Sequence, residues 1–209
     1  YNGYHEIAYL HPKYFSPNVR AYEWLGLEKD TPYAIVRFVS WNATHDVGHK
    51  GLTKEDKIKL VEKLSRTRKV FISSEAELPP ALEQYKIQLA PEQLHDALYF
   101  ADLVVSEGTT IASEAGVLGT PAIYINSIAS SYVQDQEKYG LVFNTCDSAS
   151  VFDLVDQILA EDRNLFRERR KKLLAEKIDV TEFLYQFILD HYIKHLPANI
   201  SGRASLFQG

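Results

Sequence analysis

Two short segments of the chain concentrate side chains that can bind anions or move protons. Residues 40–51 contain two histidines, an aspartate, an asparagine, a lysine and a tryptophan. In residues 106–115, Gly108 is followed by two threonines and then by Ser113 and Glu114. A glycine turn at the start of a helix offers main-chain N–H groups and hydroxyls to an anion, which is typical of phosphate binding. Both segments are therefore candidate ligand loops.

The candidate residues have competing interpretations. His45 is either a hydrogen-bond donor to phosphate or a general acid–base group, and Asp46 beside it is the second candidate catalytic residue. A metal site built on these two and His49 is disfavoured, because a loop gives their spacing no fixed geometry. Glu114 either contacts a ribose or stabilises the start of its own helix. No metal and no cofactor is expected.

The surrounding residues predict the elements that position these segments. Strands are predicted at residues 33–39, 70–72, 87–89, 103–105 and 122–125. Helices are predicted to begin at Thr53, Pro91 and Thr109, with Gly119 ending the last of these, and only helices follow Ser148. Continuous apolar strands separated by helices are typical of a parallel sheet covered on both faces. The prediction is an α/β fold, doubly wound, with a mostly parallel Rossmann-like sheet of five or six strands and C-terminal helices.

Composition limits the class of protein. The 209 residues include 23 Lys and Arg against 28 Asp and Glu, a net charge of −5, which disfavours nucleic acid as a partner. No apolar run reaches the roughly 18 residues of a membrane span. The one cysteine, Cys146, is predicted to be a packing residue and fits a reducing compartment, so a cytoplasmic location is expected. The basic residues between Arg167 and Lys172 are predicted to form a solvated helix face.

The chain divides by character into three parts. Residues 1–30 are rich in aromatic side chains without a clean period, and they are predicted to be a lead-in or interdomain segment. Residues 31–196 are the predicted Rossmann-like nucleotide-binding domain, and residues 197–209 are a predicted flexible tail. The absence of methionine and the start at Tyr1 suggest a piece of a longer protein.

Four separated motifs resemble the domain-of-unknown-function family 354. In chain order they are Gly3-Tyr4-His5-Glu6 with Ala8-Tyr9-Leu10-His11-Pro12, Arg37-Phe38-Val39-Ser40-Trp41-Asn42-Ala43 with His45-Asp46, Glu107-Gly108 with Ala112-Ser113-Glu114, and Leu118-Gly119-Thr120-Pro121-Ala122-Ile123-Tyr124. The resemblance covers most of the chain through about residue 127. It implies likeness to GT-B glycosyltransferases and UDP-N-acetylglucosamine 2-epimerases, and to the C-terminal, nucleotide-binding half of such a protein.

The resemblance also assigns roles to residues. In the epimerase-like relatives a strand–turn–helix binds the diphosphate and a downstream glutamate binds the ribose. Glu114 falls on that glutamate, with Ser113 beside it, and Gly108, Thr109 and Thr110 fall on the phosphate turn. The loop that carries Ser40, Trp41 and Asn42 occupies the place of a nucleotide-contacting loop, so these three join the predicted nucleotide-binding residues.

The leading functional prediction is a nucleotide-sugar-binding domain, part of a glycosyltransferase or a UDP-sugar 2-epimerase-like enzyme. Its predicted partners are a nucleotide-sugar or nucleoside diphosphate and a missing N-terminal domain, and a homo-oligomer is left open. The alternative is a catalytically silent nucleotide-binding or scaffolding module. Chemistry of the GT-B type occurs between two halves, so weak nucleotide affinity and no turnover are expected of these 209 residues alone.

Overall fold

The computed structural model describes residues 1–39, 51–127 and 130–195, and for residues 193–195 it describes the backbone alone. The strands are β1 (Tyr33–Phe38), β2 (Lys69–Ser74), β3 (Leu103–Ser106), β4 (Ala122–Ile125) and β5 (Val142–Thr145). The helices are α1 (Ile7–Leu10), α2 (Ala21–Trp24), α3 (Lys54–Ser65), α4 (Leu94–Phe100), α5 (Thr109–Leu118), α6 (Ser131–Lys138), α7 (Ser148–Ala160), α8 (Arg163–Glu176) and α9 (Val180–His195). Two 3₁₀ turns cover Pro80–Tyr85 and Pro91–Gln93. The predicted tail, 197–209, lies outside the described residues.

The five strands form one sheet in the order β2-β1-β3-β4-β5, and every neighbouring pair is parallel. All residues of β3 and β4 are buried, as are five of the six in β1. Burial of this extent requires cover on both faces, which the helices between the strands supply. The α/β prediction is confirmed.

Local sequence signals fix the ends of several helices. The Thr53 hydroxyl accepts a hydrogen bond from Asp56 N, so it caps α3 as the spacing predicts. Gly119 ends α5 in the left-handed conformation, with φ +78°, which a residue without Cβ adopts at no steric cost. The predicted helix from Thr109 to Leu118 is confirmed residue for residue.

The predicted strand at residues 87–89 is wrong. Beside β2 the chain makes a single parallel bridge, between Ile72 and Lys86, and Ile87 N donates to Ile72 O at 2.8 Å. The turn Pro80–Tyr85 ends just before this point and Pro91–Gln93 begins just after it. Between the two turns, residues 86–90 make this one bridge and no ladder.

Two further expectations are corrected. Cys146 is exposed rather than packed. The basic run on α8 is only in part a solvated face, because Arg167 donates to Leu118 O at 2.7 Å and Arg170 donates to Val117 O at 2.8 Å. These guanidinium groups satisfy carbonyls at the C-terminal end of α5, where cations are favoured by the helix dipole. Burial lowers the pKa of Arg167 to about 10.

The aromatic lead-in packs onto the same core as the sheet. One continuous hydrophobic cluster includes the strand residues and, from the lead-in, Tyr4, Ile7, Leu10 and Tyr22.

None of the helices in the described part of the chain combines the length and the apolar character that crossing a membrane requires.

Candidate functional site

The strand order creates a crevice between β1 and β3. From β1 the chain moves outward to β2, and the strands from β3 onward build the sheet in the other direction. The loops that leave the carboxyl ends of these two neighbours therefore diverge. In open parallel sheets this is where ligands bind. Both candidate loops leave the sheet here, the first after Phe38 and the second after Ser106.

Five of the predicted site residues lie in the first two turns of α5 or at its N-cap. They are Gly108, Thr109, Thr110, Ser113 and Glu114. The other five predicted residues, Ser40, Trp41, Asn42, His45 and Asp46, lie outside the described residues. The carboxyl ends that bear the two loops are adjacent, because β1 pairs with β3.

The N-terminus of α5 is not capped by a side chain, within the part of the chain described. By contrast, Thr53, Asp147 and Asp162 each accept a main-chain N–H bond at the start of α3, α7 and α8. The N-cap of α5 is Gly108, and the Ser106 hydroxyl holds the preceding turn by accepting from Gly108 N at 3.0 Å. At the carboxyl edge of the sheet, the first N–H groups of α5 thus have no side-chain acceptor among the described residues, which suits an anion.

Glu114 is buried at the same edge of the sheet. Its Oε1 accepts a hydrogen bond from the Tyr9 hydroxyl at 2.9 Å and is 2.9 Å from His95 Nε2. Tyr9 comes from α1 and His95 from the first turn of α4. Among the described residues no hydrogen bond reaches Glu114 Oε2, so one carboxylate oxygen is left for another donor.

Further polar side chains surround Glu114. Ser113 is fully buried, and its Oγ accepts from Gln136 Nε2 of α6 at 2.7 Å. Burial raises the pKa of the Glu6 carboxyl, and the carboxylate of Glu114 adds to that rise. Burial and the same carboxylate raise the pKa of Tyr9 well above the range of an ordinary tyrosine, so its hydroxyl remains a donor.

A second buried carboxylate, Glu107, lies at the crevice itself and is 1% exposed. Its Oε2 accepts from Val39 N at 3.0 Å and its Oε1 accepts from Leu52 N at 2.9 Å. Lys57 Nζ, from α3, lies 3.1 Å from Oε2. The Glu107 side chain, which follows β3, thus contacts the main chain both just after β1 and just before α3.

Sequence reasoning missed Glu107, Tyr9 and His95 as members of this site. For Glu107 a signal exists, because a carboxylate directly after an uninterrupted buried strand needs a partner. For His95 the helix start at Pro91 places it at the carboxyl edge. Tyr9 is one of many lead-in aromatics, and nothing in its spacing singles it out.

Among the described residues, no group of three or more His, Cys, Asp or Glu could hold a metal ion.

Solved structures with this architecture include sugar-transferring and sugar-epimerising enzymes. A putative UDP-N-acetylglucosamine 2-epimerase from Listeria monocytogenes aligns with a TM-score of 0.56 at 14% identity, over 91% of this chain and 53% of that one. The S. aureus MnaA–UDP co-structure gives 0.58 at 9% identity, over 90% and 52%. Spinosyn rhamnosyltransferase SpnG complexed with spinosyn aglycone gives 0.53 at 13% identity, over 82% and 48%.

At these identities the likeness shows the fold, and the chain has the Rossmann-like architecture of GT-B proteins. The chain spans about half the length of these structures. No protein-family model and no curated protein sequence matches it.

Proposed function

We propose that this chain is the nucleotide-sugar-binding domain of a GT-B-like glycosyltransferase or sugar epimerase, forming the C-terminal half of a longer cytoplasmic protein. The observation that carries the proposal is the N-terminus of α5, which lies at the crevice between β1 and β3 and is capped by no side chain of the described residues. Support comes from a structural neighbour whose structure includes UDP. The motifs that resemble the domain-of-unknown-function family 354 favour the same assignment.

In this proposal the start of α5 binds the diphosphate. Main-chain N–H groups after Gly108 donate to phosphate oxygens, and the hydroxyls of Thr109 and Thr110 add two donors. Thr110 is exposed and Thr109 is half-buried, so both hydroxyls are within reach of solvent. The same donors stabilise the charge that develops on a nucleoside diphosphate as it leaves the sugar.

Glu114 accepts the ribose hydroxyls. Tyr9 and His95 hold Oε1, which fixes the carboxylate, and Oε2 accepts from a ribose hydroxyl. A charged acceptor forms stronger hydrogen bonds with hydroxyls than a neutral one does. Ser113, the next predicted contact, lies one residue earlier and is held by Gln136.

The loop after β1 supplies the remaining groups of the proposal. Ser40, Trp41 and Asn42 contact the nucleotide, and His45 with Asp46 acts in proton transfer or donates to phosphate. Residues 1–30 belong to the interdomain region in this arrangement, and residues 31–196 form the nucleotide-binding domain.

The second candidate function is a catalytically silent nucleotide-binding or scaffolding module. It is favoured because the chain spans only about half the length of its structural neighbours.

The proposal is tested by titrating the ¹⁵N-labelled 209-residue chain with UDP, GDP and CDP and following amide chemical shifts. We expect UDP to shift the amides of Gly108 to Ile111 first. A charge-assisted hydrogen bond contributes about 1.5–3 kcal/mol, so Glu114→Gln should weaken UDP binding by about ten- to a hundred-fold. The companion variant Tyr9→Phe removes one of the two partners of Glu114 and leaves its charge in place.

The outcomes separate the two roles of Glu114. Unchanged affinity with a lowered melting temperature in both variants would make Glu114 a packing partner of α1 and remove the ribose assignment. Shifts confined to residues far from the start of α5 would overturn the site. Sugar-nucleotide turnover by the 209 residues alone would contradict the proposal that they are half of an enzyme.

A further inference from the structure

Helix α9 extends beyond the body of the domain. Val180, Leu184 and Ile188 are four residues apart, so they lie along one face of the helix. Val180 is fully buried, Leu184 is partly buried against the core, and Ile188 is 60% exposed. The face that packs onto the core at the start of α9 is therefore exposed two turns later. We call residues 185–192 the overhang.

The overhang lacks the charges of a solvated helix. Asp190 is the one Asp, Glu, Lys or Arg among residues 183–192, whereas the 14 residues of α8 include eight. A helix that is apolar around most of its circumference is normally covered by other protein. Five large apolar side chains of this stretch nevertheless stay exposed, namely Phe183, Tyr185, Phe187, Ile188 and Tyr192.

The lead-in extends the same apolar surface along the body. The Tyr1 ring, 62% exposed, lies 5.4 Å from the Phe183 ring between centroids, and the Phe183 ring stacks on the Phe187 ring at 6.1 Å. The surface therefore has two connected parts. One is Tyr1 with Phe183 at the body, and the other is the overhang, which carries Phe187, Ile188 and Tyr192.

The charge of α9 narrows the kind of partner. A helix that lies on a membrane surface carries Lys and Arg opposite its apolar side. In α9 the polar strip is Glu182, Gln186 and Asp190, again four residues apart, and the whole chain has a net charge of −5. Anionic lipid is therefore disfavoured, and the surface suits the apolar surface of a protein.

A second copy of this chain offers a surface of sufficient area. A fully buried aromatic side chain covers about 150–250 Å², so Tyr1 and the five exposed side chains of α9, which are 39–65% exposed, offer roughly 600 Å² per copy and about 1,200 Å² per pair. Specific interfaces bury about 1,200–2,000 Å². In an antiparallel pair the overhang of each copy lies beside Tyr1 and Phe183 of the other, so each part of the surface covers the other part. Antiparallel helices also oppose their dipoles.

We infer that α9 is a self-association surface on which a second copy packs its own α9 in the antiparallel direction. The exposed apolar residues of α9 run from Phe183 to Tyr192, and Ile188 lies next to the middle of that range. A two-fold axis therefore passes close to Ile188, which faces Ile188 of the second copy. The inference does not use the start of α5, so it stands or falls independently of nucleotide binding.

Sedimentation velocity of the 209-residue chain across the micromolar concentration range tests this surface. We expect a monomer–dimer equilibrium. Ile188→Asp should weaken dimerisation at least about a hundredfold, because two like charges then meet at the axis of an apolar interface. The matched control is Leu165→Asp, which places the same charge at an exposed leucine in the first turn of α8 and should dimerise like the parent.

A mixture of two variants tests the position of the axis. Ile188→Lys should also be monomeric by itself, but equal amounts of Ile188→Asp and Ile188→Lys should form a heterodimer, because opposite charges then face each other. The circular dichroism of each variant is expected to match that of the parent, since position 188 is 60% exposed.

Several results would overturn the inference. A parent chain that stays monomeric would do so, and if that monomer binds the apolar dye ANS more than Ile188→Asp does, the surface belongs to another occupant, such as the remainder of a longer protein. A dimer that Ile188→Asp leaves intact would place the interface elsewhere. A mixture of the two Ile188 variants that stays monomeric would exclude the antiparallel axis. Unfolding of both Ile188 variants would show that Ile188 packs within a single chain.

Discussion

Asp135 on α6 joins the lead-in to the C-terminal helices. Its Oδ2 lies 2.6 Å from Lys177 Nζ and accepts a hydrogen bond from the Tyr4 hydroxyl. The contact with Lys177, and secondarily that with Tyr4, lowers the pKa of the Asp135 carboxyl to about 2. A carboxyl whose pKa is lower in the folded than in the unfolded chain stabilises the fold whenever it is ionised.

The pH dependence of unfolding tests this carboxyl. Its ordinary pKa is 3.8, so its stabilising contribution is complete above about pH 4 to 5 and is lost as the pH falls toward 2. Asp135→Asn should therefore lower the free energy of unfolding at pH 7 and flatten its decline between pH 4 and 2. Urea titrations at several pH values measure both effects.

The control for this prediction is Asp153→Asn, which changes an exposed aspartate on α7. It should retain the parental slope between pH 4 and 2. If Asp135→Asn also retains that slope, the acid sensitivity of the fold comes from other carboxyls and the contacts of Asp135 contribute nothing measurable.

At the residue scale, the sequence predicts which residue types form the candidate site better than it predicts which residues contact them. It identifies the strand–glycine–helix segment, because that chemistry is local. Arg37, the one charged residue of β1, pairs with Glu75 and the Ser73 hydroxyl, and the sequence alone names neither. Tyr9 and Glu114 are 105 residues apart, and no periodicity in the sequence relates residues at that distance. Burial of Glu114 by α1 was thus beyond what local patterns reveal.

At the scale of elements, α5 is fixed at its C-terminal end by two independent features. Gly119 turns the chain in the left-handed conformation, and Arg170 from α8 packs directly over it. A Cβ built at position 119 would lie 2.8 Å from Arg170 Cδ and 3.0 Å from Arg170 Cβ. The Arg170 side chain and the left-handed backbone at position 119 therefore both disfavour a residue that carries a Cβ.

Replacement of two glycines separates these features. Gly26 also has a positive φ, +67°, but a Cβ there would meet nothing within 4 Å. Gly26→Ala should lower the free energy of unfolding by about 1–2 kcal/mol, the cost of a left-handed alanine. Gly119→Ala should cost at least about 1 kcal/mol more, because Arg170 must give up its bond to Val117 O.

Chemical denaturation of both glycine variants gives the comparison. Equal losses would show that Arg170 moves aside freely and that its contact with α5 is dispensable. In that case Arg170→Ala should also be neutral, which provides an independent check on the role of α8 in holding α5.

The elements were predictable where the apolar pattern was continuous. The apolar runs in β1, β3 and β4 predict strands because a strand buried on both faces has no polar alternation. Residues 87–89 carry the same short apolar signal, yet they form no strand, and the chain beside β2 makes one bridge, between Lys86 and Ile72. The basic run of α8 has a helical pattern, but its partners are carbonyls of α5, which leave no sequence trace.

At the scale of the whole molecule, the lead-in and the sheet share one core. Ile7 is fully buried in the cluster that contains the strands, and Tyr4 and Leu10 lie in it as well. The cover extends to α8 and α9, since Arg170 donates to Leu10 O and the Thr181 hydroxyl donates to Ala8 O. The aromatic segment is thus part of the same hydrophobic interior.

Truncating Ile7 tests this continuity. Ile7→Ala should lower the free energy of unfolding by about 2–5 kcal/mol, as expected for a buried aliphatic side chain. Val19, in the same lead-in but 48% exposed, serves as the matched position, and Val19→Ala should change stability by no more than about 0.5 kcal/mol. A single unfolding transition in urea is expected for both.

An early separate transition in Ile7→Ala, with the sheet still folded, would show that residues 1–30 unfold independently. The same result would separate the lead-in from the sheet as a unit of stability, whatever the contacts in the native state.

The contacts between the lead-in and the last helices have a consequence in time. Leu10 and Arg170 are 160 residues apart, and Ala8 and Thr181 are 173 apart. At a synthesis rate of about 5–20 residues per second, the aromatic segment leaves the ribosome roughly 10–30 s before its cover exists. Contacts this distant also close the largest loops and form slowly. The nascent chain therefore carries this part of the lead-in surface uncovered until α8 and α9 have been synthesised.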